Sequence, residues 1–358
     1  MSVEKIYFYP PGKPPQLIAF RVIDPQYPAE SVFIDWLNFT FGEEHYPGSE
    51  SSSSILADPT PLLTWVSQEL TQLLGFGLTT SCQRGSEGYT NSWVLGNHWG
   101  FVAQGGYSQK QTVLVKLNGQ GCMAAHDGWE SRVYHWLTSL QAQGRAKITR
   151  IHLAFDDYEG QYLTPEQVRE ECQKGQDSAF NNGRQTPYTS LAGVWDFPEQ
   201  GKGKTCYVGS SKSGKRCRVY EKGKELGDPN SPWIRTELDL VARKDRPLPL
   251  DMLIRPGEYL AGAYVRSDRP GQGALEWLLG SKVTHSPTRL KTALKMAERS
   301  LENSVHHARR MHGSLINALV QLNYSSREIV ELLRTSRLPD WFGEQPIFQR
   351  LPPLNSNG

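Results

Sequence analysis

The chain has no C-x-x-C pair and no cysteine–histidine spacing that reads as a zinc site. Its five cysteines, Cys82, Cys122, Cys172, Cys206 and Cys217, are odd in number and scattered. That argues against a disulfide framework and for thiols kept in a reducing cytosol. No apolar run approaches the length of a bilayer span. The opening MSVEKIYFYPPGKPP lacks the cation-then-apolar layout of a secretory signal, so a cytoplasmic location is expected. A large excess of one charge is also missing. The formal net charge of +2 excludes a polycationic coat for nucleic acid and shifts attention to local charge. What remains is a 358-residue chain, 38% hydrophobic and 21% charged, with the composition of a soluble globular protein long enough for two domains.

Two apparent motifs fail on inspection. GSSKSGK (Gly209 to Lys215) satisfies G-x-x-x-x-G-K, but Arg216 stands where a P-loop needs Ser or Thr. The residues after it also read as a strand, whereas a P-loop feeds a helix whose N-terminus holds phosphate. The adjacent His306 and His307 lie in a helical pattern, where neighbours diverge by about 100°. They read as part of a basic helix face and not as a metal site.

The periodicities outline an α+β protein. Residues 1–28 are proline-rich and read as an extended lead-in. FIDWLNFTF (Phe33 to Phe41) reads as a strand. A serine-rich loop (Gly48 to Pro61) then precedes LLTWVSQELTQLLGFG, a helix with a glycine stop. Short strands follow to about Asn118, and a second helix spans roughly Trp129 to Gln143. TRIHLAFDD (Thr149 to Asp157) alternates Ile151, Leu153 and Phe155 with Arg150, His152, Ala154 and Asp156. A helix opens at Thr164 and Pro165. TCYVGS and RCRVYEK form a hairpin across SKSGK, and WIRTELDLVARK (Trp233 to Lys244) sets Ile234, Leu238 and Leu240 against Arg235, Glu237 and Asp239. Strands with one apolar and one charged face predict an antiparallel sheet with helices on its apolar side and an open polar side. From about Pro256 the pattern becomes helical, with Ser286 as a cap and a capping box of Ser325 and Glu328.

Asp156 and Glu237 fall on the polar faces of two strands, where two carboxylates could seat Mg2+ or Mn2+, with His152 as a nitrogen donor and Asp239 as a further oxygen. The plain alternative is a set of ion pairs with Arg150, Arg235 and Lys222. On a third strand, alternation sets Tyr220 between Arg218 and Lys222. A phenol has a pKa near 10, and neighbouring cations or a metal would favour its phenolate as a nucleophile for phosphate. Between Gly201 and Glu225 there are eight Lys or Arg against two Glu. Lys212, Lys215, Arg216 and Lys224 in this hairpin are candidate phosphate-backbone contacts. Tyr207, on the neighbouring strand, is a competing tyrosine.

FIDWLNFT, NGQGCMAAHDGW, TRIHLAFDD, TCYVGSSKSGKRCRVYEKGKE and WIRTELDL occur in this order between Phe33 and Lys244. In these segments the chain resembles the replication initiation factor family of filamentous phages, related to rolling-circle initiators of staphylococcal-type plasmids. The resemblance implies an origin-specific, metal-dependent nicking and joining enzyme that forms a 5′-phosphotyrosine. Its nucleophile falls on Tyr220 and its acidic metal ligands on Asp156 and Glu237. His152 replaces the first aspartate of that motif and tilts the site toward manganese if it ligates. Arg218 and Lys222 would assist at the developing charge. The implied partners are origin DNA with a single-stranded nick site, host helicase and polymerase, and a second copy of the chain as a homodimer, in a bacterial cytoplasm. The corresponding layout is an N-terminal segment over 1–28, a nicking domain over 29–255, a helical subdomain over 256–345 and a tail over 346–358. A conjugative relaxase and a non-catalytic DNA-binding regulator are the alternatives.

Overall fold

The computed structural model describes residues 3–9, 15–48, 58–82, 84–109, 111–181, 187–196, 203–210, 213–243, 246–266, 269, 271–279 and 312–334. Lys212 and the His306–His307 pair lie outside the described residues. The chain divides into two units, Met1–Lys291 and Thr292–Gly358.

The first unit is built on a ten-stranded sheet in which every pairing is antiparallel. The strands of the unit are β1 (Val3–Phe8), β2 (Gln16–Arg21), β3 (Phe33–Gly42), β4 (Leu78–Ser81), β5 (Asn91–Leu95), β6 (Gly100–Gln104), β7 (Thr112–Leu117), β8 (Ala146–Asp157), β9 (Thr189–Gly193), β10 (Lys204–Val208), β11 (Lys215–Glu221) and β12 (Ile234–Val241). The large sheet runs β4-β5-β6-β7-β3-β8-β12-β11-β10-β9, and β1 and β2 form a separate hairpin. The helices are α1 (Thr60–Leu74), α2 (Gly119–Ala124), α3 (Trp129–Gln143), α4 (Pro165–Gln173), α5 (Lys222–Leu226) and α6 (Pro256–Ala261). This is the α+β fold that the alternation predicts.

One face of the sheet makes the core. Ile151, Leu153 and Phe155 of β8 meet Leu62, Val66 and Leu70 of α1, Val133 and Leu137 of α3, and Val168 of α4. The sequence dictates these contacts through a period of two in the strand and steps of three and four in the helices. Gly75 ends α1 at φ +91°, a conformation that glycine adopts without steric cost. At α4, Thr164 and Gln167 form a reciprocal capping box behind Pro165. Tyr259, Leu260 and Ala261 of α6 join the same core. In the second unit, residues 312–321 are helical and Ser325 with Glu328 caps the helix Ser326–Leu333 as expected.

The other face carries the charges, but it is less open than alternation suggests. The proline-rich start of the chain is not a plain extended lead-in: β1 and β2 pair over six residues each. β2 lies over the polar face, where Ala19 packs with Phe33, Met123 and Ala154. Ile18 packs with Leu226 and Trp233, flanked by Phe8, Phe20 and Tyr158. Gln120 of α2 clamps the hairpin, accepting from the Leu17 N–H at 2.7 Å and donating to the Leu17 carbonyl at 3.1 Å. Gly121 is needed here, because a Cβ at this position would sit 2.1 Å from the Trp99 carbonyl oxygen. As a result Asp156 and Arg235 are each 3% exposed and Glu237 is 0% exposed.

Phe39 is fully buried between the sheet and α3, with its ring edge-on to Trp136 at 6.2 Å. Phe39→Ala should lower the unfolding free energy by about 3–5 kcal/mol, read from a shift of the urea midpoint at unchanged slope.

Candidate active site

Strand register arranges the polar face in cross-strand rows. Thr205, Tyr220, Arg235 and Asp156 form one row, and Tyr207, Arg218, Glu237 and Ala154 the next. Arg216, Asp239, His152 and Trp36 form the third. A register shift between Ile34 and Trp36 inserts Asp35 into β3 as an extra residue, so Asp35 and Trp36 both reach this face.

The first row is held by Arg235. Its guanidinium binds Asp156 bidentately, Nε to Oδ1 at 2.6 Å and Nη2 to Oδ2 at 2.8 Å. Its Nη1 donates to Asp35 Oδ1 at 3.1 Å, and the Trp233 indole N–H donates to Asp156 Oδ1 at 2.9 Å. Burial acts to lower the Arg235 pKa, but Asp156 and Asp35 outweigh it and hold the group firmly protonated. Burial raises the Asp35 pKa, against the pull of Arg235. Both Asp156 oxygens are therefore engaged inside the protein.

The second and third rows share His152. Ala154, opposite Glu237, offers only a methyl group, so the carboxylate finds its partners on either side. Glu237 Oε2 accepts from Arg218 Nη2 at 2.5 Å, and Oε1 lies 2.7 Å from His152 Nδ1. His152 Nε2 lies 3.2 Å from Asp239 Oδ1, and the ring stacks on Trp36 with centroids 5.6 Å apart. Asp239 also accepts from Arg150 Nε at 3.0 Å and Nη2 at 2.9 Å, with Arg216 Nη2 at 3.6 Å. Burial pulls the His152 pKa down, but Asp239 and Glu237 outweigh it and raise it above its ordinary value. Burial would raise the Glu237 carboxyl, yet His152 and Arg218 bring it down to about 2. Burial acts the same way on Asp239, and His152 and Arg150 hold it well below the usual carboxylate range.

Tyr220 is 7% exposed, with Arg218 5.1 Å and Lys222 5.9 Å from its ring centroid. The flanking cations expected from the sequence are present, but their effect on the phenol is not the expected one. Burial raises its pKa well above the ordinary value, and Arg235 and Arg218 only partly offset that, while Glu237 and Asp35 add to it. Lys222 is not on the strand. β11 ends at Glu221, and Lys222 opens α5 with its Nζ 2.8 Å from Glu225 Oε2.

The candidate phosphate contacts separate. Arg216 is on the polar face, its guanidinium 5.0 Å from the Tyr207 ring centroid. Lys215 turns away, donating to the Ala263 carbonyl at 2.7 Å and lying 4.1 Å from the Tyr264 ring centroid. Lys224 donates to Glu221 at 2.7 Å.

Among the described residues, no three or more His, Cys, Asp or Glu side chains converge as a metal-ligand set. Glu237 Oε1 and His152 Nε2 are buried without an aligned hydrogen-bond partner, but they do not face a common point: Oε1 meets the Nδ1 edge of the ring, and Nε2 faces Asp239 on the other side. A protein site of one or two donors suits Mg2+ or Mn2+ when water and substrate phosphate supply the rest. Asp156, held by Arg235 and Trp233, is not gathered with them. Sequence reasoning missed the importance of Asp35 and Trp36, because the bulge that turns both toward the charges leaves no periodic trace.

The buried Arg235 predicts a stability experiment. Arg235→Met should cost about 3–5 kcal/mol in guanidinium unfolding, because it leaves Asp156 and Asp35 buried without a counter-charge, and Asp156→Asn should cost less, because Asp35 still partners Arg235. Arg235→Lys should not restore the loss, since one ammonium cannot span two carboxylates.

Residues 146–333 match the model of a family described as replication initiation factor. Among solved structures, a rolling circle replication initiator protein from Geobacillus stearothermophilus is similar at 19% identity and a TM-score of 0.44, covering 68% of this chain and 90% of that one. No curated protein matches.

Proposed function

Because the chain belongs to the replication initiation factor family, we propose that it initiates rolling-circle replication by nicking and rejoining origin DNA through Tyr220. The observation that carries this reading is the grouping of Tyr220 with Arg218, Glu237 and His152 on adjoining rows of one polar face. Tyr220 Oη attacks the scissile phosphorus, the P–O3′ bond breaks, and a 5′-phosphotyrosine ester forms. The phenol proton passes through solvent to the departing 3′-oxygen, leaving a 3′-hydroxyl that primes polymerase. Attack by a 3′-hydroxyl on the ester reverses the step and rejoins a strand.

Arg218 faces both the phenol and Glu237, so it steadies charge on the attacking oxygen and on the phosphorane-like transition state. Lys222, farther from the ring, adds a weaker field. Glu237 would hold the divalent cation, and His152 would join it only by losing its proton and leaving a carboxylate partner; the cation when bound supplies charge neutralisation at the phosphate. Asp156 acts through Arg235, fixing the guanidinium beside Tyr220 in the first row. Arg216 would contact the DNA backbone, as would Lys212, while Lys215 and Lys224 would need to leave their present partners. Host helicase and polymerase, and a second copy of the chain, would complete the initiation complex.

A second reading, a DNA-binding regulator without chemistry, is favoured by one observation: burial holds the Tyr220 phenol in its poorly nucleophilic form. The test is covalent adduct formation with a single-stranded oligonucleotide carrying the nick site of the replicon, in Mn2+ or Mg2+. The parent protein should form an adduct that runs as a heavier band, and Tyr220→Phe should abolish it. An adduct retained in Tyr220→Phe would remove Tyr220 from the mechanism, and no adduct with either metal would favour the regulator.

The phenol also sets a pH dependence. The reactive form is the phenolate, and the folded pKa lies above the ordinary value, so its population grows throughout the neutral range. Single-turnover adduct formation should still be rising between about pH 7 and about pH 9. A plateau in that interval would contradict a phenol held protonated by burial.

A further inference from the structure

Beyond the Tyr220 rows, the polar face continues onto β3, β7 and β6 as a band of alternating rings and cations. Arg150, Asn38, Lys116 and Phe101 form a fourth cross-strand row. Lys116 Nζ lies 4.9 Å from the Phe101 ring centroid and 5.2 Å from that of Trp36. The Arg150 guanidinium lies 5.7 Å from the Trp36 centroid. The Trp36 indole N–H donates to Asn38 Oδ1 at 2.7 Å, which fixes the plane of the ring. On the far side of Asp239, Arg216 lies over Tyr207 in the same manner. All seven side chains are half-buried, and the helices α1, α3 and α4 pack on the opposite face of the sheet.

The acids near these cations do not explain the rings. Lys116 meets Glu87 at 2.9 Å, and Arg150 and Arg216 meet Asp239. The Lys116–Glu87 pair, whose acid is exposed, contributes little to stability and can yield to a phosphate, whereas Asp239 is buried and keeps Arg150 and Arg216 as partners. Flat aromatic faces flanked by cations are instead the combination that binds an unpaired strand. Bases stack on the rings while the backbone follows the positive charge. A duplex, with its bases already stacked, would use the cations and leave the rings idle. From β6 to β10 the band crosses six strand spacings, roughly 29 Å, and it ends at Tyr207, in the row of Arg218 and one row from Tyr220.

We infer that Phe101, Lys116, Trp36, Arg150, Arg216 and Tyr207 form a stacking track that feeds single-stranded DNA to Tyr220. The inference rests on the reading of Tyr220 as the nicking residue, and it names a surface that the basic β10–β11 hairpin alone does not supply. The probe is a fluorescein-labelled oligothymidylate of about twelve nucleotides, with binding read by anisotropy on the full chain. Phe101→Leu and Trp36→Leu should each weaken it by about five- to a hundredfold. Trp36→Phe, which keeps a ring, should recover most of the affinity. Lys116→Ala should lower the slope of log affinity against log salt by about 0.7. Phe101 is remote from His152, so it guards against a Trp36 effect that arises only from the stacked imidazole.

Circular dichroism melts confirm that each variant is folded. Parent-like binding by both folded Leu variants, while the parent still forms its Tyr220 adduct, overturns the track and leaves the nicking reading standing. Equal weakening of single-stranded and duplex DNA also overturns it, because stacking would then play no part. Failure of the parent to bind the oligonucleotide overturns the track alone, and failure to form an adduct overturns the nicking reading and the track that rests on it.

Discussion

The arrangement of the polar face depends on one buried guanidinium. Arg235 joins Asp156 on β8 to Asp35 on β3, and β12 carries it between β8 and β11. A buried ion cluster contributes little net stability, since desolvation offsets much of the attraction. Its effect is one of selection, because any other register of these three strands would strand a charge in a dry environment. Trp233, Phe33 and the β1–β2 hairpin make that environment dry. The same exclusion of water strengthens every interaction around Glu237 and His152.

That dryness acts against the phenol it surrounds. Tyr220 belongs to the row of Arg235, and the loss of hydration outweighs the arginines beside it. Electrostatic help and desolvation therefore pull in opposite directions, and here desolvation wins. In the proposed function, the phosphodiester brings its own charge and a cation to the site, which changes that balance only when substrate is present. In that proposal, burial keeps the phenol protonated until substrate arrives.

Much of the frame was legible because strand alternation is a strong signal. The faces of TRIHLAFDD and WIRTELDL, the helix Trp129–Gln143 and the strand origin of Tyr220 follow directly from periods of two and 3.6. Other features depend on tertiary pairing and leave no local pattern. The bulge at Asp35 is invisible in FIDWLNFT, because one inserted residue in an aromatic run resembles ordinary alternation. The β1–β2 hairpin was hidden by its prolines, which read as an extended lead-in. Lys222 appeared to continue β11, but GKEL after it turns into α5 and redirects its ammonium to Glu225. Alternation predicted which residues face the polar side, yet it could not say that Asp156 would bind Arg235 while Glu237 turned to His152.

The hairpin over the polar face also has a consequence on the ribosome. Ile18 and Phe20 emerge early, but their packing partners Tyr158 and Trp233 are made more than a hundred residues later. At ordinary elongation rates that interval is on the order of ten seconds or more. Asp35 waits equally long for Arg235. No part of the nascent chain can assemble the Tyr220 site alone, since its rows draw on strands spread from β3 to β12. A chain that stalls before β12 thus keeps an unpaired sheet edge, and the rows around Tyr220 close only with the last strand.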